Sequence, residues 1–199
     1  WMDRFMSLNS EDLLFIDDSI ARRQFPSFSF VLINSGESKN EEKTTTLDQQ
    51  LLPALETLVL EDFDPASSTH GGEWLVFIDA DTEVHKAATF SLACHAELHP
   101  ESLMIIPDSA EKSGDLFTKI RANPPWNLDL ILGGEGVGPL LAIHNSVISG
   151  IVETGEDLSR TKNLTEIALT AYDYLGEKAI SRLPLVLSAT SKQSEQTLL

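Results

Sequence analysis

Residues 74–78, WLVFI, form an unbroken apolar run, and this run limits what the chain can fold into. A strand with one solvated face alternates apolar and polar residues, whereas a run without alternation is typical of a strand that is buried on both faces. Such a strand needs a covering layer on each side. We therefore predict that the run belongs to a rigid central strand, residues 74–79, and that a loop begins where this strand ends at Asp79.

Other apolar runs alternate with helical patterns along the chain. The remaining predicted strands are residues 28–38 (ending in a turn), 102–108, 138–148 and 179–187. The predicted helices are residues 10–23 with Ser10 as N-cap, 47–58 with a kink or late start at Pro53, 85–98, and 164–176. Residues 37–46 are predicted to be an exposed loop, and 188–199 a polar tail. This alternation favours an α/β domain with a mostly parallel central sheet flanked by helices, which binds ligands at the carboxyl ends of its strands.

Length and composition exclude several classes of protein. The 199 residues, 42% of them hydrophobic, fit a single domain over residues 1–199. The 31 acidic and 14 basic residues leave a formal charge of −17, which argues against binding of nucleic acid. The single cysteine, Cys94, excludes an intramolecular disulfide and is compatible with a reducing, cytoplasmic setting. No apolar run approaches the roughly 20 residues of a transmembrane helix, and residues 1–15 lack the pattern of a signal peptide, so we expect neither.

Two aspartates one residue apart, Asp79 and Asp81, follow the central run in the segment GGEWLVFIDADTEV. Carboxylate oxygens at this spacing can point to the same side of an extended backbone and suit Mg²⁺ or Mn²⁺, which leaves coordination positions for phosphate oxygens. The alternative is that both aspartates are solvated loop acids or caps of the next helix. The first interpretation predicts a metal and diphosphate site at the end of the strand.

Two blocks of the sequence resemble the family 2 glycosyltransferases, in particular their bacterial rhamnosyl- and O-antigen-type members. The blocks are GGEWLVFIDADTEV, residues 71–84, and NPPWNLDLILGGEGVGPLLAIHNSVI, residues 123–148, and they occur in the family's order and at about its separation. With the segments around them, the resemblance covers about residues 71–187. It implies a Rossmann-like GT-A fold. It also implies inverting transfer of a sugar from a nucleotide-sugar donor to a glycan or lipid-linked acceptor, with Mn²⁺ or Mg²⁺ as cofactor. The location it implies is cytoplasmic, with peripheral association at the inner face of a membrane.

The resemblance also assigns roles to individual residues. Those it implies for the metal and the donor diphosphate are Asp79 and Asp81, and those for the donor and acceptor sugars are Trp126, Asn127, Asp129 and Gly138. Trp126 has a structural alternative, because a Trp beside two prolines often pins a loop onto the core. The glycines from Gly133 to Gly138 lack the Lys-Ser/Thr pair of a phosphate-binding loop and precede a strand, so we predict a flexible turn near the acceptor.

The start of the late helix departs from the family's pattern. Relatives carry a Gln-Asp-Tyr-Asp-Leu cluster there, one aspartate of which is the general base. In this chain Leu164 occupies the place of the leading aspartate, and only Glu166 keeps a carboxylate. Glu166 is therefore the candidate base, and its alternative is an ordinary acid in the first turn of a helix. A slip of the alignment would bring in acids slightly upstream, namely Glu153, Glu156 and Asp157.

Two further departures concern the ends of the match. Many relatives continue the final strand with Tyr-His, whereas Ser188 and Ala189 follow it here. Residues 1–70 are predicted to be a divergent, shortened nucleotide-binding part. Within it, residues 57–60 either end the preceding helix or belong to a second strand, which would place Glu61 and Asp62 against the nucleotide base. These departures leave open a catalytically inactive glycosyltransferase-like domain that binds a nucleotide, a glycan or a protein partner.

Overall fold

The computed structural model describes residues 7–33, 47–60, 63, 71–114, 116–158, 161 and 163–191. Its longer helices are α1 (Ser10–Arg22), α2 (Ala88–Leu98), α3 (Asn145–Glu153) and α4 (Leu164–Leu175). Its strands are β1 (Phe28–Ile33), β2 (Glu56–Val59), β3 (Trp74–Asp79), β4 (Thr82–Val84), β5 (Met104–Ser113), β6 (Leu116–Arg121), β7 (Leu140–His144) and β8 (Ile180–Ser191). Shorter helical segments span Leu128–Leu130, Ile131–Glu135 and Glu177–Ala179. Within the described ranges, no helix combines the length and the apolar character needed to cross a bilayer.

The strands of the described residues form one mixed sheet in the order β2-β1-β3-β7-β5-β8-β4, with β6 beside β5. The parallel pairings are β1 with β2, β1 with β3, and β5 with β8. The antiparallel pairings are β3 with β7, β4 with β8, β5 with β6, and β5 with β7. The α/β class is thus confirmed, but a mostly parallel sheet is not. The strand direction changes because β6 turns back along β5, and β7 then lies between β3 and β5, antiparallel to both. The apolar runs alone do not reveal this change of direction.

The central run is buried on both faces, as its composition predicts. Every side chain in residues 74–78 is at most 5% exposed. Leu75 and Phe77 belong to the core formed with α3 and α4, whereas Val76 and Ile78 belong to the core formed with α2. Helix α1 lies outside α2 and packs on it through Ile16. The sheet is therefore a middle layer, and β3 is a rigid support for the loop that follows it.

The Gly-Glu pair before β3 fastens this strand to β1. A Cβ added to Gly72 would lie only 2.7 Å from the backbone nitrogen of Ser29 on β1. The Glu73 carboxylate accepts a hydrogen bond from the backbone N–H of Ser27 at 3.0 Å, and the Glu73 N–H donates to the Ser27 hydroxyl at 3.1 Å. In this chain the pair has a structural role, which is to bring the two strands into close register.

The substitution Gly72→Ala is expected to lower the free energy of unfolding by about 1–3 kcal/mol, since β1 and β3 must separate to admit the methyl group. Denaturant unfolding measures this. Gly71→Ala is the matched control, because among the described residues its Cβ would meet only the flexible Leu55 side chain at 3.4 Å. We expect the control to stay within about 0.5 kcal/mol of the wild type. Wild-type stability of Gly72→Ala would contradict the close approach.

The helix predicted over residues 47–58 is wrong from residue 48 onwards, and the alternative of a second strand is confirmed. Strand β2 lies parallel to β1 at the edge of the sheet. The residues before β2 are held by tertiary hydrogen bonds instead of helical ones. Gln50 donates to the carbonyl of His85 and accepts from the backbone N–H of Thr89, and the Thr89 hydroxyl donates to the carbonyl of Leu52 at 2.6 Å. Glu61 and Asp62, which would follow this strand, lie outside the described residues.

Several predicted boundaries also change. Helix α1 is capped by Asn9 rather than Ser10, since the Asn9 side chain accepts from the N–H groups of Glu11 and Asp12. The strand predicted over residues 138–148 ends at His144, whose side chain caps α3. Helix α2 begins at Ala88 and not at His85, because the N–H of His85 donates to the carbonyl of Leu187 on β8 and so continues the pairing of β4. Strands β5 and β8 extend beyond their predicted ends because they pair with each other. The predicted tail therefore contributes residues 188–191 to the sheet. Residues 192–199 lie outside the described part.

Candidate active site

The Asp79–Asp81 loop is held at the carboxyl ends of β1 and β3. The backbone N–H of Asp79 donates to the carbonyl of Pro139 at 3.1 Å, and that of Ala80 donates to the carbonyl of Ile33 at 3.0 Å. Beyond Asp81 the chain enters β4, which pairs with the end of β8. Asp79 is half-buried and Asp81 is exposed. The loop is thus fixed at both ends while Asp81 remains open to solvent.

This loop offers two hard oxygen donors for a cation. Among the described residues, no three His, Cys, Asp or Glu side chains are grouped so as to hold a metal ion. Mg²⁺ is commonly bound by only one or two carboxylates, with substrate phosphates and water completing its coordination. Asp79 and Asp81 provide that number of carboxylates.

A glycine turn, residues 136–138, joins the Asp79–Asp81 loop to the rest of the site. Gly136 and Gly138 have φ angles of +63° and +89°, which favour glycine. A Cβ on Gly138 would lie 3.6 Å from the Asn123 side-chain nitrogen, and one on Gly136 would lie 3.1 Å from the Thr165 hydroxyl at the start of α4. Because Pro139 follows this turn and bonds to Asp79, the turn brings the carboxylate loop, the loop at Asn123 and the start of α4 together.

Glu166 lies in the first turn of α4 and is exposed. Its N–H donates to the side-chain oxygen of Asn163 at 2.9 Å, and the Asn163 amide donates to the Glu166 carboxylate at 3.0 Å. This reciprocal pair caps the helix, as the structural alternative anticipates. Leu164 is 2% exposed and packs in the core, so the position at which the resemblance to family 2 enzymes would place an aspartate is used here for packing.

Trp126 packs and also lines a cavity. Its ring stacks on Tyr172 of α4, with ring centroids 5.1 Å apart and an angle of 23° between the planes. Its indole nitrogen is buried and has no hydrogen-bond partner within the described part of the chain. Asn127 caps the short helix after it by accepting from the N–H of Leu130, and Asp129 lies exposed on that helix. Trp126 and Asn127 form part of the wall of a cavity of about 300 Å³ that also includes Gly136.

A buried polar network fixes the loop that carries Trp126. Asp108, 5% exposed, accepts from Arg182 at 3.1 and 2.7 Å and from the backbone N–H of Asn123 at 2.8 Å. The hydrogen bonds from Arg182 to Asp108 raise the pKa of the Arg182 guanidinium. The Asn123 amide in turn donates to the carbonyls of Pro107 and Val137, and thereby ties the loop to the glycine turn.

Sequence reasoning missed this network, although a signal for it exists. Asp108 follows the apolar residues 104–107 just as Asp79 follows residues 74–78. Arg182 stands in a final strand that is otherwise mostly apolar. A charged residue at the end of an apolar run, or inside one, is therefore the pattern that points to Asp108 and to Arg182.

Comparison with known proteins identifies the fold. The sequence matches no family model and no curated protein. The structure is similar to that of S. aureus TarS, residues 1–349, with a TM-score of 0.56 over 83% of this chain and 13% sequence identity. TarS is a glycosyltransferase. The fold is glycosyltransferase-like. The matched region makes up 60% of the length of the TarS chain.

This glycosyltransferase-like fold distributes the predicted site residues unevenly. The residues it brings to one end of the sheet are Asp79, Asp81, Gly138, Trp126 and the start of α4 with Glu166. Ser188 and Ala189, at the place where the resemblance to family 2 enzymes would put Tyr-His, lie opposite Val84 and Glu83 of β4. They belong to the strand that supports the carboxylate loop from its far side.

Two histidines whose rings are in contact lie away from this site. The rings of His95 and His99 are 4.5 Å apart, and His95 shares a hydrogen bond of 2.8 Å with the hydroxyl of Ser181 at the start of β8. Burial, followed by the charge of His99, lowers the pKa of His95. Strand β7 is antiparallel to both β3 and β5, and β8 is parallel to β5, so β3 and β8 run in the same direction. The start of β8 therefore lies at the opposite end of the strands from the carboxylate loop. The pair therefore packs α2 onto β8.

Proposed function

We propose that this chain is a glycosyltransferase that moves a sugar from a nucleotide-sugar donor to a glycan or lipid-linked acceptor by inverting single displacement. The observation that carries the proposal is that one end of a glycosyltransferase-like sheet brings together the Asp79–Asp81 loop, the glycine turn and the start of α4. Ligands of α/β sheets bind at such carboxyl ends. The resemblance of the sequence to family 2 enzymes rests on the blocks that contain the first two of these features, residues 71–84 and 123–148.

In this proposal Asp79 and Asp81 hold Mn²⁺ or Mg²⁺ together with the donor diphosphate. The cation supplies charge neutralisation for the leaving nucleoside diphosphate. Asp81, being exposed, is the more direct ligand. The half-buried Asp79 is fixed through its backbone to Pro139 and so sets the direction of the loop.

The acceptor hydroxyl oxygen attacks the anomeric carbon while the bond from that carbon to the diphosphate oxygen breaks. The bonding electron pair leaves with the diphosphate, and the hydroxyl proton passes to the Glu166 carboxylate. One carboxylate oxygen of Glu166 accepts a hydrogen bond from the Asn163 amide, and this hydrogen bond orients the carboxylate. Trp126 and Asn127 bound the cavity beside the glycine turn, where the proposal places the sugars.

A second candidate function is a binding domain without turnover. The observation that favours it is the start of α4, where Leu164 is buried and Glu166 is engaged in capping. On this alternative Asp79 and Asp81 would still bind a metal and a nucleotide. The two candidates therefore share the donor site and differ only in the fate of the sugar.

A melting experiment tests the donor site. With Mn²⁺ and a nucleoside diphosphate at about 100 times its Kd, the native state gains about 2.7 kcal/mol. For a chain of this length we expect Tm to rise by about 5–10 °C. Each of the common nucleoside diphosphates is assayed with Mn²⁺, with EDTA, and without metal.

The variant Asp81→Asn is expected to lose the increase in Tm, since it removes one ligand charge. Asp173→Asn is the matched control, because Asp173 is an exposed acid on α4. The control should respond like the wild type. If no nucleoside diphosphate raises Tm in the presence of Mn²⁺, both candidate functions fail at the donor site.

A further inference from the structure

An apolar groove lies on the face of the sheet that α2 covers. Its volume is about 450 Å³, within the range of roughly 300–1,000 Å³ that is typical of ligand sites. The apolar side chains that line it include Phe15, Ile16, Phe90, Phe117, Ile120 and Leu185. Phe15 is 66% exposed, Leu185 48% and Ile120 37%. Large apolar side chains exposed next to one another mark an interaction surface.

The groove lies beside the candidate active site and shares Asp108 with its surroundings, since Asp108 lines the groove and also accepts the hydrogen bond that holds the loop at Asn123. Its walls are α1, the β5–β6 hairpin, β8 and the start of α2. Neither carboxylate of the Asp79–Asp81 loop lines it, nor do the glycine turn and Glu166. The proposed sugar transfer gives these exposed side chains no role.

The edge of the groove along α1 is acidic. Asp12 lines the groove, and Glu11 lies one helical turn before Phe15 on the same face of α1. On the β5–β6 hairpin, Lys112 is paired with Glu83 and Lys119 with Glu111. Within the described part of the chain, Glu11 and Asp12 form no ion pair, although the Asp12 carboxylate accepts a hydrogen bond from the backbone N–H of Asn9 at 2.9 Å. The groove thus combines an apolar floor with two acidic side chains along one edge.

We propose that this groove binds an amphipathic, Lys/Arg-rich helix of a partner protein. Apolar side chains at positions i, i+3 or i+4, and i+7 of such a helix would occupy the groove, and its basic side chains would face Glu11 and Asp12. Side chains line the groove, and Pro184 of β8 within it lacks an N–H, so an added β-strand would find a poor template there. The acidic edge disfavours an anionic lipid surface.

The probe is a fluorescent synthetic peptide of about 14 residues, four helical turns, with Leu on one face and Lys on the other. Fluorescence anisotropy measures its binding to the full chain. A peptide with the same composition but scrambled order, and one with Glu in place of Lys, should each bind about tenfold more weakly or worse. Phe15→Ser and Leu185→Ser should each weaken binding of the amphipathic peptide about tenfold, because each removes an apolar contact.

Matched variants separate the groove from general attraction to an acidic protein. Leu98→Ser removes a 76% exposed side chain that does not line the groove, and it should leave binding unchanged. Glu11→Gln should weaken binding about threefold at low salt, whereas Asp17→Asn, on the opposite face of α1, should not. The proposal is overturned if the scrambled peptide binds equally well, if Leu98→Ser weakens binding as much as Leu185→Ser does, or if the chain binds anionic vesicles or dodecyl maltoside in preference to the peptide.

Discussion

Glu166→Gln is expected to slow sugar transfer by about 10²–10⁴-fold, the usual contribution of a general base. The amide of Gln can still accept the hydrogen bond from Asn163, so the helix cap is preserved while the proton acceptor is lost. Release of nucleoside diphosphate measures the rate. The donors tested are sugar conjugates of whichever nucleotide raises Tm with Mn²⁺.

Asn163→Ala is the matched control for this prediction. It removes the cap of α4, which is expected to cost about 1 kcal/mol of stability, but it leaves the Glu166 carboxylate in place. We expect it to retain turnover within about tenfold of the wild type. If Glu166→Gln transfers sugar at the wild-type rate, Glu166 is only a capping residue. If the wild-type chain binds donor but releases no product with any acceptor, the binding domain is the better description.

Asp108→Ala is expected to lower the free energy of unfolding by about 3 kcal/mol. Removing one partner of a buried ion pair costs roughly 3–5 kcal/mol, and the lower end applies because the Arg182 side chain is 31% exposed. The change also leaves the Asn123 N–H without its acceptor. For a chain of this length, Tm should fall by about 6–12 °C. Denaturant and thermal unfolding measure both quantities.

The double variant Asp108→Ala/Arg182→Met separates the ion pair from the rest of the network. It removes the unpaired guanidinium, so we expect it to recover at least half of the lost stability. Asp173→Asn, an exposed acid, should change stability by no more than about 0.5 kcal/mol. A loss below about 1 kcal/mol in Asp108→Ala would mean that Arg182 finds another partner and that the pair does not anchor the loop.

The sequence predicted the features that depend on local pattern. The apolar run of residues 74–78 is a central strand with both faces buried, and the helices that end at Arg22, Leu98 and Leu175 lie where the sequence predicts helices. The position of Asp79 and Asp81 at the end of that strand follows from the same run. The roles of these aspartates and of Glu166, Trp126, Asn127, Asp129 and Gly138 stay predictions, since geometry alone does not test them.

Features that depend on distant partners escaped the sequence. The sequence pattern of residues 47–52 predicts a helix, but their polar groups form hydrogen bonds with His85, Lys86 and Thr89. A periodicity within one segment carries no information about those partners. The antiparallel entry of β7 is a matter of topology. The pairing of Asp108 with Arg182 joins residues 74 positions apart in the chain.

By itself, then, the sequence determined the α/β class, the buried central strand and the carboxylates at its end, because burial and capping are set by neighbouring residues. Only the tertiary structure decided the mixed sheet, the contact between the glycine turn and α4, the use of Glu166 as a cap, and the apolar groove beside α1. These features arise where separate segments compete for the same hydrogen bonds and the same buried surface, and that competition is settled by packing of the whole chain.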